Sequence, residues 1–117
     1  MLASVEDPPR LKSSIWVQAQ LRLCDRAMIP FVVMRRGDPD AGAILIKLDR
    51  GEQGCLVLAR SYHPEGGRMW IRATGEQPVA EADADAYLNR QIGFDPDVWI
   101  LAIEDAAGRY QPDGQTI

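Results

Sequence analysis

The sequence predicts an α+β domain with the element order α-β-β-β-β-α-β, in which two helices pack on one face of a mainly antiparallel or mixed sheet. Three observations predict this class: two segments with a helical repeat of apolar residues, several short apolar or alternating segments, and turns rich in glycine or proline between them. The 117 residues, 46% hydrophobic and 26% charged, suit a single domain. We expect this domain to span residues 11–110, between an N-terminal extension, 1–10, and a polar C-terminal tail, 111–117.

The first helix is predicted to begin at Ser13 or Ser14, whose hydroxyl can cap it, and to continue to about Met28. Gln20 falls inside its apolar stripe, so its amide needs hydrogen-bond partners if it is buried. Pro30 ends the helix because proline has no amide proton and disfavours helical geometry in the residue before it. The stripe, which should face the sheet, consists of Trp16, Val17, Leu21, Leu23, Cys24, Ala27 and Met28.

Four strands are predicted to follow. Phe31 to Arg36 contains the unbroken run Phe-Val-Val-Met, which is typical of a strand covered on both faces, so we place it centrally in the sheet. Residues 43–48 and 55–60 should form a hairpin around a turn that contains two glycines. Residues 68–73 alternate in polarity and form the fourth strand.

A second, shorter helix is predicted from the acidic residues Glu81, Asp83 and Asp85, whose charge suits the first turn of a helix. Gly93 is a natural residue just past its end. Residues 98–103 form a final apolar strand, and the helix before it permits a parallel crossover, which would make the sheet mixed. The apolar stripe of this helix consists of Ala84, Tyr87, Leu88 and Ile92.

Charge, cysteine usage and hydropathy predict a cytoplasmic protein. The net charge of −4 argues against nucleic acid and anionic lipid as partners. Cys24 and Cys55 lack the spacing of a metal or redox motif and are expected to be reduced thiols. Residues 1–10 lack the features of a signal peptide, and no apolar run approaches the ~18 residues that a membrane span needs.

Asp38-Pro39-Asp40 has two interpretations. Aspartate and proline are good turn residues, and the same tripeptide recurs at 95–97, which favours a structural turn. Alternatively, Asp38 and Asp40 bind a hard cation such as Mg²⁺. With Lys47 they would then form the site of a metal-dependent phosphodiesterase or nuclease, because Pro39-Asp40 and Lys47 resemble the signature of restriction-endonuclease-like nucleases. Leu45 stands where that signature has a second carboxylate.

A second candidate site combines an aromatic ring with arginines. Arg68, Trp70 and Arg72 project from one face of the predicted fourth strand, and Arg35 and Arg36 are candidates to join them. Such a cluster could bind a small anionic, nucleotide-like ring compound by stacking and charge. The structural alternative, which we favour, is a tryptophan covered by arginine stems.

No catalytic motif is present in the sequence. His63 is the single histidine and lies in a glycine-rich loop, so no metal-binding histidine pair can form. We therefore predict no catalytic residues and no cofactor.

Three segments resemble one protein family. LKSSIWVQAQLRLC (11–24), RRGDPDAGAILIK (35–47) and FDPDVWILAIED (94–105) together resemble DUF1491, a family of short alphaproteobacterial proteins of unknown function. The resemblance implies a cytoplasmic, single-domain bacterial protein and implies no activity. Our leading hypothesis is a non-enzymatic binding domain, with homodimers pairing along an apolar edge or helix face.

Overall fold

A computed structural model describes residues 11–62, 68–112 and 115–116. The predicted order of elements is confirmed, and two residues of the predicted tail add a short strand. The loop with His63 and the extension 1–10 lie outside the described residues. The elements are α1 (Ser13–Arg26), β1 (Phe31–Arg35), β2 (Ile44–Asp49), β3 (Cys55–Tyr62), β4 (Arg68–Arg72), α2 (Glu81–Phe94), β5 (Trp99–Glu104) and β6 (Gln115–Thr116).

The strands form one mixed sheet in the order β1-β5-β2-β3-β4-β6. β5 enters the sheet between β1 and β2, antiparallel to β1 and parallel to β2. The predicted hairpin is confirmed as the antiparallel pair β2 and β3, joined by a 3₁₀ turn at Gly51–Gln53. β6 pairs in parallel with β4. The α+β class and the mixed sheet are therefore as predicted.

The two helices lie on opposite faces of the sheet, so the prediction that both pack on one face is wrong. On β2, Ile44, Ile46 and Leu48 belong to the cluster packed under α1, whereas Leu45 belongs to the cluster packed under α2. β2 is buried on both sides along most of its length. A strand of this kind needs cover on each face, because successive side chains point in opposite directions.

β1 is an edge strand, so its predicted central position is also wrong. Its neighbour among the described residues is β5, and its side chains alternate between half-buried and exposed. Phe31 and Val33 pack against the cluster under α1. Val32 and Met34 are 57% and 54% exposed. The run of apolar residues therefore forms a strand with only one covered face.

α1 faces the sheet with a narrower stripe than predicted. Trp16, Val17 and Cys24 are buried, but Leu21, Leu23 and Met28 are exposed. Gln20 is buried as anticipated, and its Oε1 accepts a hydrogen bond of 2.8 Å from the hydroxyl of Tyr110. The contact satisfies the amide oxygen inside the core.

α1 ends two residues earlier than predicted, in a hydrogen-bonded cap. The amide of Ile29 donates to the carbonyl of Cys24, and the amide of Met28 donates to that of Asp25. This is the pattern of a Schellman motif, which usually has glycine in the left-handed position. Met28 occupies that position here, with a φ of 59°. The cap turns the chain directly into β1.

α2 carries the predicted apolar stripe. Ala84 and Leu88 are buried, and Tyr87 and Ile92 pack against them as partly buried neighbours. Gly93 lies inside the helix rather than past its end, because the helix continues to Phe94. Within the described residues, no helix combines the length and apolarity required to cross a bilayer.

Candidate functional site

The two Asp-Pro-Asp turns meet at one end of the sheet. The amide of Asp38 donates to the carbonyl of Asp97 at 2.9 Å, and the indole Nε1 of Trp99 donates to the carbonyl of Asp38 at 2.7 Å. Each turn is closed by its own first carboxylate: Asp38 Oδ2 accepts from the amide of Ala41, and Asp95 Oδ1 accepts from that of Asp97. In this geometry both aspartates act as turn residues.

The first of these turns also caps α1. The amides of Ser13 and Ser14 donate to the carbonyls of Asp40 and Pro39, at 3.2 Å and 2.9 Å. The prediction that the hydroxyl of Ser13 or Ser14 caps the helix is wrong, because no side-chain hydrogen bond caps α1. The hydroxyl of Ser13 instead donates to the carbonyl of Gly42 at 2.7 Å. Backbone carbonyls thus satisfy the N–H groups that a helix start would otherwise offer to an anion.

Two glycines permit this close approach of backbone to backbone. A Cβ at Gly37 would lie 2.2 Å from the carbonyl oxygen of Asp97, and one at Gly42 would lie 2.6 Å from the same oxygen. Real Cβ atoms essentially never come this close to another heavy atom. The segment RRGDPDAG is therefore a structural junction between α1, β1, β2 and β5.

Arg35 and Arg36 hold the same junction. Arg35 Nη2 donates to the carbonyl of Pro96 at 2.8 Å, and the guanidinium carbon of Arg36 lies 5.3 Å from the ring centroid of Trp99. Arg35 ends β1 and Arg36 follows it, and three strands lie between β1 and β4 in the sheet order. At ~4.8 Å per strand, the structure does not bring them together with Arg72.

Trp70 is not available to stack on a ligand. Its side chain is 0% exposed and packs under α1, with its ring centroid 5.4 Å from that of Trp16. Arg60 lies over the ring of Trp16, with its guanidinium carbon 5.5 Å from the ring centroid. Arg72 is exposed, and the side chain of Arg68 lies outside the described residues. The predicted stacking role of Trp70 does not fit this geometry.

The residues of the metal alternative are divided between different parts of the fold. The carboxylate of Asp38 closes its turn, and that of Asp40 lies 3.7 Å from the ammonium of Lys12. Lys47 points to the opposite face of β2 from its neighbours Ile46 and Leu48, towards α2. Across the part of the chain that the structure describes, no three histidine, cysteine or acidic residues cluster as metal ligands.

The buried side chain of Lys47 forms ion pairs with two carboxylates that are 65% and 46% exposed, which the sequence did not predict. Its ammonium lies 2.8 Å from both Glu81 Oε2 and Asp85 Oδ1, and its side chain is 6% exposed. Burial alone would lower the pKa of Lys47, but the hydrogen bonds and charges of Asp85 and Glu81 outweigh it and raise the pKa. A lysine inside an apolar strand and an acidic helix start were the available signals, but their pairing depends on topology.

The two cysteines are inert in this arrangement. Cys24 lies in the cluster under α1 and Cys55 in the cluster under α2, so the sheet separates them. Burial, followed by the charge of Asp105, raises the pKa of the Cys24 thiol, and burial followed by the charge of Asp49 raises that of Cys55. Both thiols therefore stay protonated at neutral pH.

The open edge of β1 is the candidate binding surface. Glu104 donates its amide to the carbonyl of Pro30 at 3.0 Å, which fixes the pairing of β1 with β5. Hydrogen-bonded and non-hydrogen-bonded residue pairs alternate along antiparallel strands. The N–H and C=O groups of Val32 therefore point to β5, whereas those of Phe31 and Val33 point to the open edge. The exposed side chains of Val32 and Met34 adjoin these groups. We call this surface, Phe31–Met34, the β1 edge.

Comparison with known proteins gives a family and three similar structures. The family model of DUF1491, described as a protein of unknown function, matches residues 11–111. A crystal structure of a DUF1491 family protein from Caulobacter crescentus is 33% identical, with a TM-score of 0.82, and covers 92% of this chain and 100% of the other. An NMR structure of a DUF1491 family protein from that organism is 32% identical, with a TM-score of 0.80, over 94% and 99% of the two chains.

A third structure, that of protein Atu0922 from A. tumefaciens, is 24% identical, with a TM-score of 0.70, over 82% of this chain and 86% of the other. At this identity the likeness concerns the fold. None of the curated proteins compared with the chain matches it significantly.

Proposed function

Since the chain belongs to DUF1491, whose function is unknown, we propose a function from its geometry: it is a protein-interaction domain that accepts an extended strand of a partner at the β1 edge. One observation carries this proposal. Among the described residues, β1 ends the sheet, and the main-chain groups on its outer edge, which pair with no described strand, lie beside two exposed apolar side chains. Addition of a strand to such an edge is a common mode of peptide recognition.

The composition of the β1 edge supports binding rather than permanent exposure to water. Soluble proteins usually protect edge strands with lysine, proline or a covering segment, because open edges aggregate. Phe31–Met34 contains only apolar residues, and the first three, Phe-Val-Val, have high strand propensity. α2 packs over β2 and β3 on the same face as Val32, and the described cluster beneath it includes no residue of β1. A partner strand would bury this surface.

The nuclease alternative receives no support from the positions of its residues. Metal-assisted hydrolysis needs carboxylates that converge on one cation. Asp38 and Asp40 engage in turn and surface contacts, and the ammonium of Lys47 is bound to α2. The binding of a small anionic ligand by Arg35 and Arg36 likewise competes with their contacts to the second turn.

We propose that the domain acts in the cytoplasm. The support is the pair of free, buried thiols on opposite faces of the sheet, which could not form a disulfide with each other. Proteins with unpaired buried cysteines are typical of reducing compartments.

A strand-binding experiment tests the proposed interaction. The probe is a hexapeptide of alternating valine and threonine, titrated into the ¹⁵N-labelled protein and followed by amide chemical shifts. We expect the largest shifts at the outward-facing amides of Phe31 and Val33. Val32→Lys should weaken binding, whereas Ile71→Lys, at an exposed site on β4, should not. Shifts that avoid β1, or the absence of shifts, would contradict the proposal.

A further inference from the structure

We infer that the strand accepted at the β1 edge is β1 of a second copy of this chain, antiparallel to the first, with the two-fold axis at Val32. The inference rests on the proposed function and names its partner. It follows from the direction of the main-chain groups, the position of a bulge, and the charges at the two ends of β1.

The main-chain groups permit a symmetric antiparallel pair. The main-chain N–H and C=O groups of Phe31 and Val33 both point to the open edge, as the pairing of Pro30 with Glu104 requires. When β1 strands of two copies run antiparallel about Val32, Phe31 of each copy lies opposite Val33 of the other. Every N–H and C=O group that faces the edge from these residues then gains a partner. The interface is isologous, as in most homodimers.

A bulge selects this register over longer ones. The pairing of β1 with β5 is regular from Phe31 to Val33 and shifts before Arg35, which leaves Met34 as the extra residue. A bulge disrupts the regular ladder and bends the strand. The regular part of the edge is therefore Phe31–Val33, and its midpoint is Val32.

Side chains match across the same axis. Val32 lies on the face of α2, opposite Ala102 of β5, and is 57% exposed. In the symmetric pair, Val32 meets Val32 of the second copy as a non-hydrogen-bonded pair, in which the Cα atoms are only ~4.5 Å apart. The close contact removes apolar surface of both copies from water.

The charges at the ends of β1 favour the antiparallel direction. Arg35 is the last residue of β1 and Arg36 follows it, whereas the exposed Glu104 lies beside Pro30, just before the strand begins. Antiparallel pairing brings the basic end of one copy towards the acidic end of the other. Parallel pairing would set the arginines of both copies next to each other, and like charges opposite one another destabilise a sheet.

The expected dimer is weak because the strand is short. An interface built on five residues per copy falls below the roughly 1,200 Å² of stable complexes, so we expect a Kd of about 10–500 µM. Sedimentation equilibrium of the full chain across this range of concentration gives the oligomeric state directly.

Two variants test the position of the interface. Val32→Lys sets two ammonium groups against each other on the axis and should weaken the dimer at least about tenfold. Ile71→Lys is the matched control, because Ile71 is also an exposed apolar residue on a strand, 41% exposed on β4. The control should dimerise as the wild type does.

Two further experiments test the register. Val32→Lys and Val32→Glu should each be monomeric alone and dimerise when mixed, since the axis places opposite charges face to face. Val32→Cys should form a disulfide-linked dimer on mild oxidation, whereas Ile71→Cys should not. The native thiols are buried and do not interfere.

The outcomes separate this inference from the proposed function. Loss of the dimer in Val32→Lys, its return on mixing with Val32→Glu, and retention in Ile71→Lys support the inference. A wild type that stays monomeric at 1 mM, or a dimer that Val32→Lys leaves intact, overturns it. If the monomeric protein still shifts at Phe31 and Val33 with the valine–threonine peptide, the proposed function stands and only the identity of the partner is wrong.

Discussion

The two faces of the sheet are built differently. The face under α1 holds all three tryptophans of the chain, and its cluster draws on every strand from β1 to β5. The face under α2 has smaller side chains, encloses the charged Lys47, and covers mainly β2 and β3. The face under α1 is therefore densely packed with aromatic rings, whereas the face under α2 is partly open. The comparison indicates that stability resides mainly under α1 and that the α2 side is free to carry an interaction surface.

The largest expected effect comes from removing a tryptophan under α1. Trp70→Ala should lower the free energy of unfolding by about 3–5 kcal/mol, because the fully buried ring leaves a cavity beside Trp16. Ile71→Ala, the next residue on the opposite face, should cost less than about 1 kcal/mol. Urea denaturation of both variants measures the difference. Equal losses would show that the two faces contribute equally.

The next effect concerns the turn junction that holds α1 on the sheet. Gly42→Ala should cost about 2–3 kcal/mol, because its Cβ would meet the carbonyl of Asp97 at 2.6 Å and that of Asp38 at 2.8 Å. Gly93→Ala in α2 has nothing within 4 Å and should gain about 0.5–1 kcal/mol through helix propensity. Thermal melts of both variants should move in opposite directions. A neutral Gly42→Ala would mean that the junction tolerates expansion.

Substitutions of Lys47 test how much its buried stem and its charge contribute to the stability of the α2 face. Lys47→Ala should cost about 1–2 kcal/mol, because it removes the buried stem and leaves two carboxylates side by side. Lys47→Met also leaves the two carboxylates without the ammonium, but it retains most of the buried volume, so it should cost less than Lys47→Ala. Chemical denaturation at neutral pH separates the two. A large loss in both would assign a dominant role to the charge itself.

The same lysine gives a pH dependence. Its pKa is raised above the ordinary 10.5 in the folded protein, so the folded state holds the proton more tightly than the unfolded state. The stabilisation is fully present below 10.5 and is lost as the pH rises through the folded-state pKa. The stability of the wild type minus that of Lys47→Met should therefore be flat at neutral pH and fall in the alkaline range. A rise there would refute this sign.

The smallest effect is at the end of α1. Met28 has a φ of 59° and is 86% exposed, so its side chain contributes little burial while its backbone occupies a conformation that suits glycine. Met28→Gly should raise the free energy of unfolding by about 0.5–1 kcal/mol. The midpoint of urea denaturation measures the gain. A loss would indicate that the methionine packs in solution.

The local parts of the fold could be predicted from sequence, whereas the parts set by topology could not. The periodicities of α1, α2 and the strands predicted their order, and the repeated Asp-Pro-Asp predicted turns. The run Phe-Val-Val-Met looks the same in a central strand and in an edge strand, because exposure depends on which strand arrives beside it. Likewise, the contacts of Gly42 with Asp97 and of Lys47 with Asp85 join residues far apart in the chain.

The candidate site shows the same division. Arg35 and Arg36 are basic in any context. The sequence does not reveal that their side chains contact the second turn and Trp99, some 60 residues away. Trp70 alternates with two arginines in the strand, yet its side of the strand is the one that α1 covers. The open edge was anticipated only as a general apolar edge, without its residues.

The insertion of β5 between β1 and β2 has a consequence for biosynthesis. While the ribosome is still making α2, β1 has been synthesised but its neighbour in the sheet does not yet exist, and β2 has only β3 beside it. Nascent chains that await a distant strand expose surfaces prone to misassembly. The sheet can therefore close only after residues 99–104 have left the exit tunnel.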